Sequence, residues 1–307
     1  MEKNNTFENR ILPTPQRASG LAFSFATVLP VLLSFVFLVT IAALGLTKSE
    51  GYEEADWYLY ANYLLPQISF AGVVAFYLFY TKKSVKQTLA KQKCPPKYYA
   101  LALLMQVGLF ALSQLNNYFL EWLGKIGYQD QGIPLPSMDG WGFVGVFLVV
   151  AVFAAVLEEL VFRGAILHGL KNLPLPVAAI VCGALFALFH QNPAQTLYQF
   201  CCGTAFAFIA LRSGSVLPTM LSHFFNNAVI LILTKCGVSE FSPTVSIVVA
   251  CVSAVCLLAA ILWLAVWDKN EEKQTKKQAN AKEFFLCASV GIAVCALTWV
   301  LVLVSGM

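Results

Sequence analysis

Charged residues are scarce in this chain. Asp, Glu, Lys and Arg make up 12% of its 307 residues, whereas hydrophobic residues make up 59% and the mean hydropathy is +0.71. Soluble domains carry about twice that share of charge. The composition therefore excludes an ordinary soluble fold and indicates a membrane protein.

Several motifs with well-known chemistry are also missing. The sequence has no Cys-x-x-Cys pair, no His-Glu-x-x-His, no Gly-x-Ser-x-Gly and no phosphate-binding loop. Most of the nine cysteines lie in apolar segments. They are predicted to be small packing residues, not a disulfide or zinc framework.

Long apolar runs fill most of the chain. A helix needs about 20 apolar residues to cross a bilayer, and nine runs are candidates: residues 21–47, 57–80, 98–123, 141–170, 176–190, 194–211, 216–234, 245–267 and 284–304. The sequence thus predicts an all-α polytopic membrane protein, a bundle of about eight to nine transmembrane helices with a polar catalytic cavity. The first run is too long for a signal-peptide core and is predicted to remain as an anchor.

Basic residues alternate between the two sides of these runs. With a cytoplasmic N-terminus, 17 of the 20 basic residues fall on the cytoplasmic side, and Lys48, Lys125 and Lys235 lie outside. This positive-inside pattern predicts an integral cytoplasmic (plasma) membrane protein with its C-terminus outside. The net charge of +4 follows from topology and does not indicate nucleic-acid binding. Residues 268–282 are predicted to form a solvated charged linker.

The fourth run carries three charges that should lie within the membrane. Ionisable groups at membrane depth are costly unless paired or hydrated, which makes them functional candidates. Glu159 and Arg163 are at i and i+4, so they share a helix face and can pair. Glu158 lies about 100° away, where it can face a cavity as a general base. The alternative is a structural ion pair with a spare acid.

Two later runs carry imidazoles and amides. Phe186 and His190 are four residues apart and share a face, and Gln191, Asn192 and Pro193 then predict a buried helix end near water. His223 and Asn227 have the same spacing and can donate hydrogen bonds to one small target. Each of these groups can also be a simple interhelical hydrogen-bond partner.

Depth allows these groups to meet. At 1.5 Å per residue, Glu158, His190, His223 and Asn227 lie ~12 to ~21 Å from the predicted cytoplasmic helix ends. The cavity is expected to open to the cytoplasm. Polar residues of the third run either line the same cavity or pack against neighbours: Gln106, Ser113, Gln114, Asn117 and Glu121. His168 is predicted to lie at the interface.

The three motifs together resemble those of the CAAX protease and bacteriocin-processing family of intramembrane endopeptidases, also called the type II CAAX prenyl endopeptidase or Abi family. The motifs are Glu158-Glu159-x-x-x-Arg163, Phe186-x-x-x-His190 and His223-x-x-x-Asn227. The resemblance covers residues 141–233. We predict three regions: N-terminal helices with a basic cytoplasmic loop (1–140), a catalytic core like that of the family (141–234), and C-terminal helices with the charged linker (235–307).

The resemblance implies a role for each motif. Glu158 and His190 would activate the attacking water, and His223 and Asn227 would stabilise the oxyanion. Glu159 and Arg163 would hold the site in shape, while Phe186 packs beside the histidine. No cofactor is required in this interpretation. The alternative places zinc on Glu158, His190 and His223, since two histidines and a carboxylate suit a catalytic zinc ion.

The substrate is expected to be a membrane-associated or lipidated peptide or protein. CAAX-type processing, peptide maturation and bacteriocin immunity are the settings that the resemblance suggests, and membrane lipid is the other expected partner. A proton-coupled carrier also places acids and histidines near the midplane. It and a non-catalytic scaffold are the alternative hypotheses.

Overall fold

The computed structural model describes residues 12–89, 94–130, 132, 134–238, 241–268 and 280–307. In these ranges the chain is helical and has no strand. Nine long helices in them account for the nine predicted runs: α1 Pro15–Ala43, α2 Asp56–Thr81, α3 Lys97–Lys125, α4 Trp141–Leu170, α5 Leu175–Phe189, α6 Pro193–Ser213, α7 Leu217–Lys235, α8 Pro243–Val266 and α9 Lys282–Ser305. The predicted all-α polytopic fold is confirmed.

Eight of the helices in the described ranges are long and apolar enough to cross a membrane, and α5 is not. The prediction of a ninth full span at residues 176–190 was therefore wrong. Gln191 has a left-handed φ of 51°, and Pro193 cannot continue the preceding hydrogen-bond ladder. As a result α5 stops inside the bundle, and residues 190–195 continue as a non-helical segment with a short 3₁₀ turn.

Helix α4 is irregular where its charges lie. Two π-helical stretches, Phe147–Phe153 and Leu160–Ile166, flank a short α-helical segment, Ala154–Glu159. Such stretches are frequent at functional sites because they re-aim side chains without ending the helix. Helix α3 is also interrupted, between Leu109 and Leu112.

Hydrogen bonds show which connections share a face of the bundle. We call the face where α1 begins the N-terminal face. On it, Thr14 donates to Glu283, and Lys97 and Arg212 both bind Asp268. On the opposite face, the Ser137 amide donates to Asp56, Lys235 binds Asp139, and the Gln129 amide donates to the Gly306 carbonyl. The start of α1 and the end of α9 thus lie on different faces.

Asp268 departs from the prediction that residues 268–282 form a solvated linker. Its carboxylate is buried and accepts hydrogen bonds from Lys97 at 3.0 Å, Tyr98 at 2.9 Å and Arg212 at 2.9 Å. Burial opposes its ionisation, yet the hydrogen bonds from Arg212, Lys97 and Tyr98 outweigh burial and hold the pKa of Asp268 below its usual range. Residues 269–279 lie outside the described ranges.

Helices α5 and α6 pack closely against each other. A Cβ added at Gly183 would come within 2.6 Å of the Thr204 backbone nitrogen and 2.9 Å of the Phe200 carbonyl oxygen. The Thr204 hydroxyl oxygen is nearer still and can rotate away, but the two backbone atoms cannot move aside cheaply. Gly183 therefore permits the contact that fixes α5 beside α6, and with it the position of His190.

Candidate active site

A cavity of about 560 Å³ lies between helices α2, α3, α4, α6 and α7. Its lining includes the four residues predicted to be catalytic: Glu158, His190, His223 and Asn227. They come from α4, from the end of α5 and from α7. The predicted convergence of three separate segments on one cavity is therefore present.

Glu159 and Arg163 form the predicted ion pair, fully buried beside this cavity. Arg163 Nη1 donates to Glu159 Oε1 at 2.7 Å, and Nη2 donates to the Gly203 carbonyl on α6 at 3.0 Å. The His223 Nδ1 atom lies 3.1 Å from the same Glu159 oxygen. The pair thus ties α4 to both α6 and α7.

Glu158 has a different environment from its neighbour. Its Oε2 atom is buried, has no hydrogen-bond partner within the described part of the chain, and lies 3.9 Å from His223 Nε2. That distance is too long for a direct hydrogen bond and leaves room for a bridging group. Glu158 is therefore the acid that faces the cavity, as its helical position predicted.

The two histidines have defined ring orientations. His190 Nδ1 lies 2.8 Å from the Phe186 carbonyl oxygen, which can only accept a hydrogen bond. The proton of a neutral His190 thus belongs on Nδ1, and Nε2 carries the lone pair. His223 Nδ1 faces the Glu159 carboxylate, which turns Nε2 toward Glu158.

Phe186 lies at the centre of these groups. Its ring centroid is 4.7 Å from that of His190, 6.0 Å from that of His223 and 4.5 Å from Arg163 Cζ. The contact with Arg163 is a cation–π interaction, which supports a buried guanidinium. Phe186 packs beside His190 as predicted and also separates Arg163 from the two imidazoles.

An amide network positions the polar end of α7. Asn227 Nδ2 donates to the Val150 carbonyl at 3.0 Å, and Asn226 Nδ2 donates to Asn227 Oδ1 at 3.1 Å. Asn226 Oδ1 in turn accepts from Gln106 Nε2 at 2.8 Å and from the Tyr198 hydroxyl at 2.9 Å. One of the two Asn227 amide hydrogens is thus engaged, and the other is available toward the cavity.

Polar residues of α3 divide among several environments. Ser113 and Asn117 line the cavity, whereas Gln106 is buried in the amide network. Gln114 lines a separate pocket toward α8, and Glu121 is exposed. His168 lies in another pocket on the N-terminal face, beside Lys83 and Lys171, where an interfacial position was expected.

Sequence reasoning missed several residues of the site. Tyr198 binds Asn226, and Asn116 both donates to the Ala194 carbonyl and accepts from the Tyr198 amide. Gln67, Gln195 and Gln199 also line the cavity. A usable signal existed, because each is a polar side chain within or beside an apolar run.

The three predicted zinc ligands do not form a metal site as they stand. Among the described residues, no group of three or more His, Cys, Asp or Glu side chains is arranged to hold a metal ion. His223 Nδ1 faces Glu159, and its Nε2 is 3.9 Å from Glu158 Oε2. We therefore derive no step through a metal.

The cavity opens toward the opposite face, away from the N-terminus. Its outer lining includes Tyr63 near the start of α2, Leu135 in the α3–α4 connection and Ile230 near the end of α7. The reason is the short α5, which enters from the N-terminal face and leaves space beyond Phe189. The predicted cytoplasmic N-terminus and the predicted cytoplasmic opening thus cannot both be correct.

Fold and site together define a multi-pass membrane protein with paired acids and histidines at a buried cavity. Residues 140–229 match the family model "Type II CAAX prenyl endopeptidase Rce1-like". This region, less than a third of the chain, is similar to that family of membrane proteases, which confirms the predicted resemblance. No curated protein and no solved structure matches the chain.

Proposed function

We propose that the protein is an intramembrane endopeptidase that uses Glu158, His190, His223 and Asn227 to hydrolyse a peptide bond with water. The observation that carries the proposal is the position of Glu158. Its buried Oε2 atom, which has no hydrogen-bond partner among the described residues, faces His223 across 3.9 Å inside the cavity, while Glu159 is committed to Arg163. The family match supports a peptide hydrolase in general.

Water activation falls to Glu158 and His190. The attacking water donates one hydrogen to the Glu158 carboxylate and the other to His190 Nε2, whose lone pair is fixed by the Nδ1 bond to the Phe186 carbonyl. Glu158 accepts the proton as the water oxygen bonds to the carbonyl carbon. General-base catalysis of this kind contributes about 10²–10⁴-fold.

His223 and Asn227 stabilise the developing oxyanion. Donation from His223 Nε2 requires a proton on that nitrogen, and the ring has a carboxylate on each side as counter-charge. Asn227 adds its second amide hydrogen, because the first is bound to Val150. When the C–N bond breaks, Glu158 returns its proton to the leaving amine, so atoms and charges balance.

The supporting residues act by holding positions. Arg163 holds Glu159 in place through their ion pair, and Glu159 orients His223 through Nδ1. Phe186 fills the space between them. The proposal needs no metal; zinc bound by Glu158, His190 and His223 remains the alternative, and a metal assay decides between them.

The substrate is a membrane-associated peptide or lipidated protein. Amide side chains line the cavity, including Gln67, Asn116, Asn117 and Gln199, and amides pair with both the N–H and the C=O of an extended backbone. CAAX-type processing, peptide maturation and bacteriocin immunity each supply such a substrate. We also propose the plasma membrane as its location, with a cytoplasmic N-terminus.

The test is cleavage by the purified protein in liposomes, using a fluorogenic lipidated peptide and a peptide library. Wild type is compared with Glu158→Ala, His190→Ala and His223→Ala. Each variant is expected to lose cleavage, and unchanged cleavage in all three would refute the assignment. Repeating the assay after chelation, with the zinc content measured, tests the metal alternative. Proton-driven uptake without proteolysis would favour a carrier.

A further inference from the structure

The cavity is closed toward the N-terminal face. Between Glu158 and the N-terminal face lie the Glu159–Arg163 pair and the side chains of Phe162, Phe186 and Phe206. Each of these residues is at most 3% exposed. Arg163 also borders a pocket on the N-terminal face, but the two pockets share no lining residue. Substrate therefore reaches Glu158 from the opposite face.

The two faces differ in charge. The described basic residues on or near the N-terminal face are Arg17, Lys82, Lys83, Lys86, Lys97, Lys171, Arg212 and Lys282, whereas the opposite face has Lys48, Lys125 and Lys235. Acids dominate the opposite face, with Glu50, Glu53, Glu54, Asp56, Asp130 and Asp139. Basic loops remain in the cytoplasm, so the opposite face lies outside it.

Together these observations decide the direction of access. We propose that the cavity takes its substrate from the non-cytoplasmic side of the membrane. This inference rests on the proposed function and narrows it, since it excludes CAAX-type processing of a cytoplasmic protein from the settings proposed above. The substrate is an exported peptide, or the juxtamembrane segment of a membrane protein, that enters from the outer leaflet; a purely cytoplasmic segment cannot reach Glu158.

The lining narrows the chemistry of that segment. Lys and Arg do not occur among the described residues that line the cavity, and its carboxylate and imidazole groups are Glu158, His190 and His223. The rest are amides, hydroxyls and apolar side chains such as Leu135 and Ile230. A charged substrate side chain would be desolvated there and would compete for Glu158 or the histidines, which the proposed chemistry uses, so the segment at the scissile bond is uncharged and extended.

The protein contains a natural reporter of orientation. Cys236 is exposed in the α7–α8 connection on the opposite face, and Lys86 is exposed in the α2–α3 connection on the N-terminal face. Intact cells that express the protein are treated with a membrane-impermeant maleimide. Wild type should be labelled and Cys236→Ser should lose that label.

Two further variants complete the labelling test. In the Cys236→Ser background, Lys86→Cys should be labelled only after permeabilisation, whereas Asn117→Cys in the cavity lining should be labelled in intact cells. Labelling of Lys86→Cys but not of Cys236 in intact cells would overturn the proposal. So would labelling of Cys236 together with an Asn117→Cys that reacts only after permeabilisation.

Sided cleavage separates this inference from the proposed function. A water-soluble, membrane-impermeant fluorogenic peptide of uncharged residues is added to right-side-out and to inside-out vesicles, with Glu158→Gln vesicles as the blank. Cleavage by right-side-out vesicles alone is expected. Cleavage by inside-out vesicles alone would refute access from the non-cytoplasmic side but would still support the proposed endopeptidase activity. Absence of cleavage even in detergent would count against the endopeptidase, and the thiol labels would still decide the direction.

Discussion

Two adjacent glutamates occupy unlike environments in this protein. Glu159 is bound by Arg163 and His223, whereas Glu158 Oε2 has no hydrogen-bond partner in the described part of the chain and faces the cavity. A single residue step, a rotation of ~100° around the helix, separates an acid held in an ion pair from an acid that faces the cavity. Substituting each in turn should therefore affect different properties.

Glu158→Gln should abolish cleavage while leaving the fold intact. The amide keeps the shape of the side chain but cannot accept a proton, so we expect a loss of about 10²–10⁴-fold in kcat. Cleavage kinetics in liposomes and thermal unfolding measure the two effects. Retention of near-normal kcat would show that Glu158 is not the base.

Glu159→Gln should instead destabilise the protein. It leaves the Arg163 guanidinium buried without its counter-charge, and removing one partner of a buried pair costs about 3–5 kcal/mol. Thermal unfolding in detergent compares this variant with Glu158→Gln as its isosteric control. Equal stability of the two variants would contradict the division of roles.

The sequence predicted these near neighbours and missed the distant ones. Glu159 with Arg163 and Phe186 with His190 are four residues apart, so helical periodicity alone places each pair on one face. Tyr198 and Gln106 meet Asn226 across 28 and 120 residues. Sequence periodicity carries no information on which helices become neighbours.

At the scale of helices, the contact between α5 and α6 positions the site. Gly183 lets α5 approach the Thr204 backbone, and Gly203 on α6 presents its carbonyl to Arg163. The sequence predicted both helices but not the early end of α5. Polarity at Gln191 and Asn192 indicated a buried end, yet the length of the apolar run suggested a full span.

Gly183→Ala should weaken this contact. The added methyl group meets backbone atoms, so we expect a loss of about 1–3 kcal/mol in the free energy of unfolding, with cleavage reduced because His190 shifts. Gly124→Ala is the matched control, since a Cβ there meets nothing within 4 Å. Thermal unfolding of both variants provides the measurement, and equal effects would rule out the steric explanation.

At the scale of the molecule, ion pairs of Asp268 connect three helices at the N-terminal face. Asp268 joins Lys97 at the start of α3 and Arg212 at the end of α6 to the end of α8. The chain order of the loops predicted which residues share this face. The direction of the cavity was not predictable, because it depends on the truncated α5 and not on loop charge.

Asp268→Asn should loosen this face in a pH-dependent way. Hydrogen bonds to charged groups contribute about 1.5–3 kcal/mol each at most, so we expect a loss of about 1–3 kcal/mol at pH 7. Because the pKa of Asp268 is lowered in the folded state, its contribution is present above the unfolded value of about 3.9 and disappears as the pH falls through the folded value. The difference in stability between wild type and variant should be constant near neutral pH and shrink as the pH falls below about 4; a difference that stays unchanged on acidification would contradict this account.

The π-helical stretches of α4 give the site an unusual sensitivity to chain length. Each π-helical stretch holds about one residue more than a regular α-helix of the same length would hold. Removing a single residue from Phe147–Phe153 would let that stretch rewind as α-helix, so the carbonyl groups inside it would change direction while the helix on either side keeps its register. The Val150 carbonyl would then leave Asn227. A helix shortened by one residue in this stretch would keep every motif residue and lose the hydrogen bond that ties Asn227 of α7 to α4.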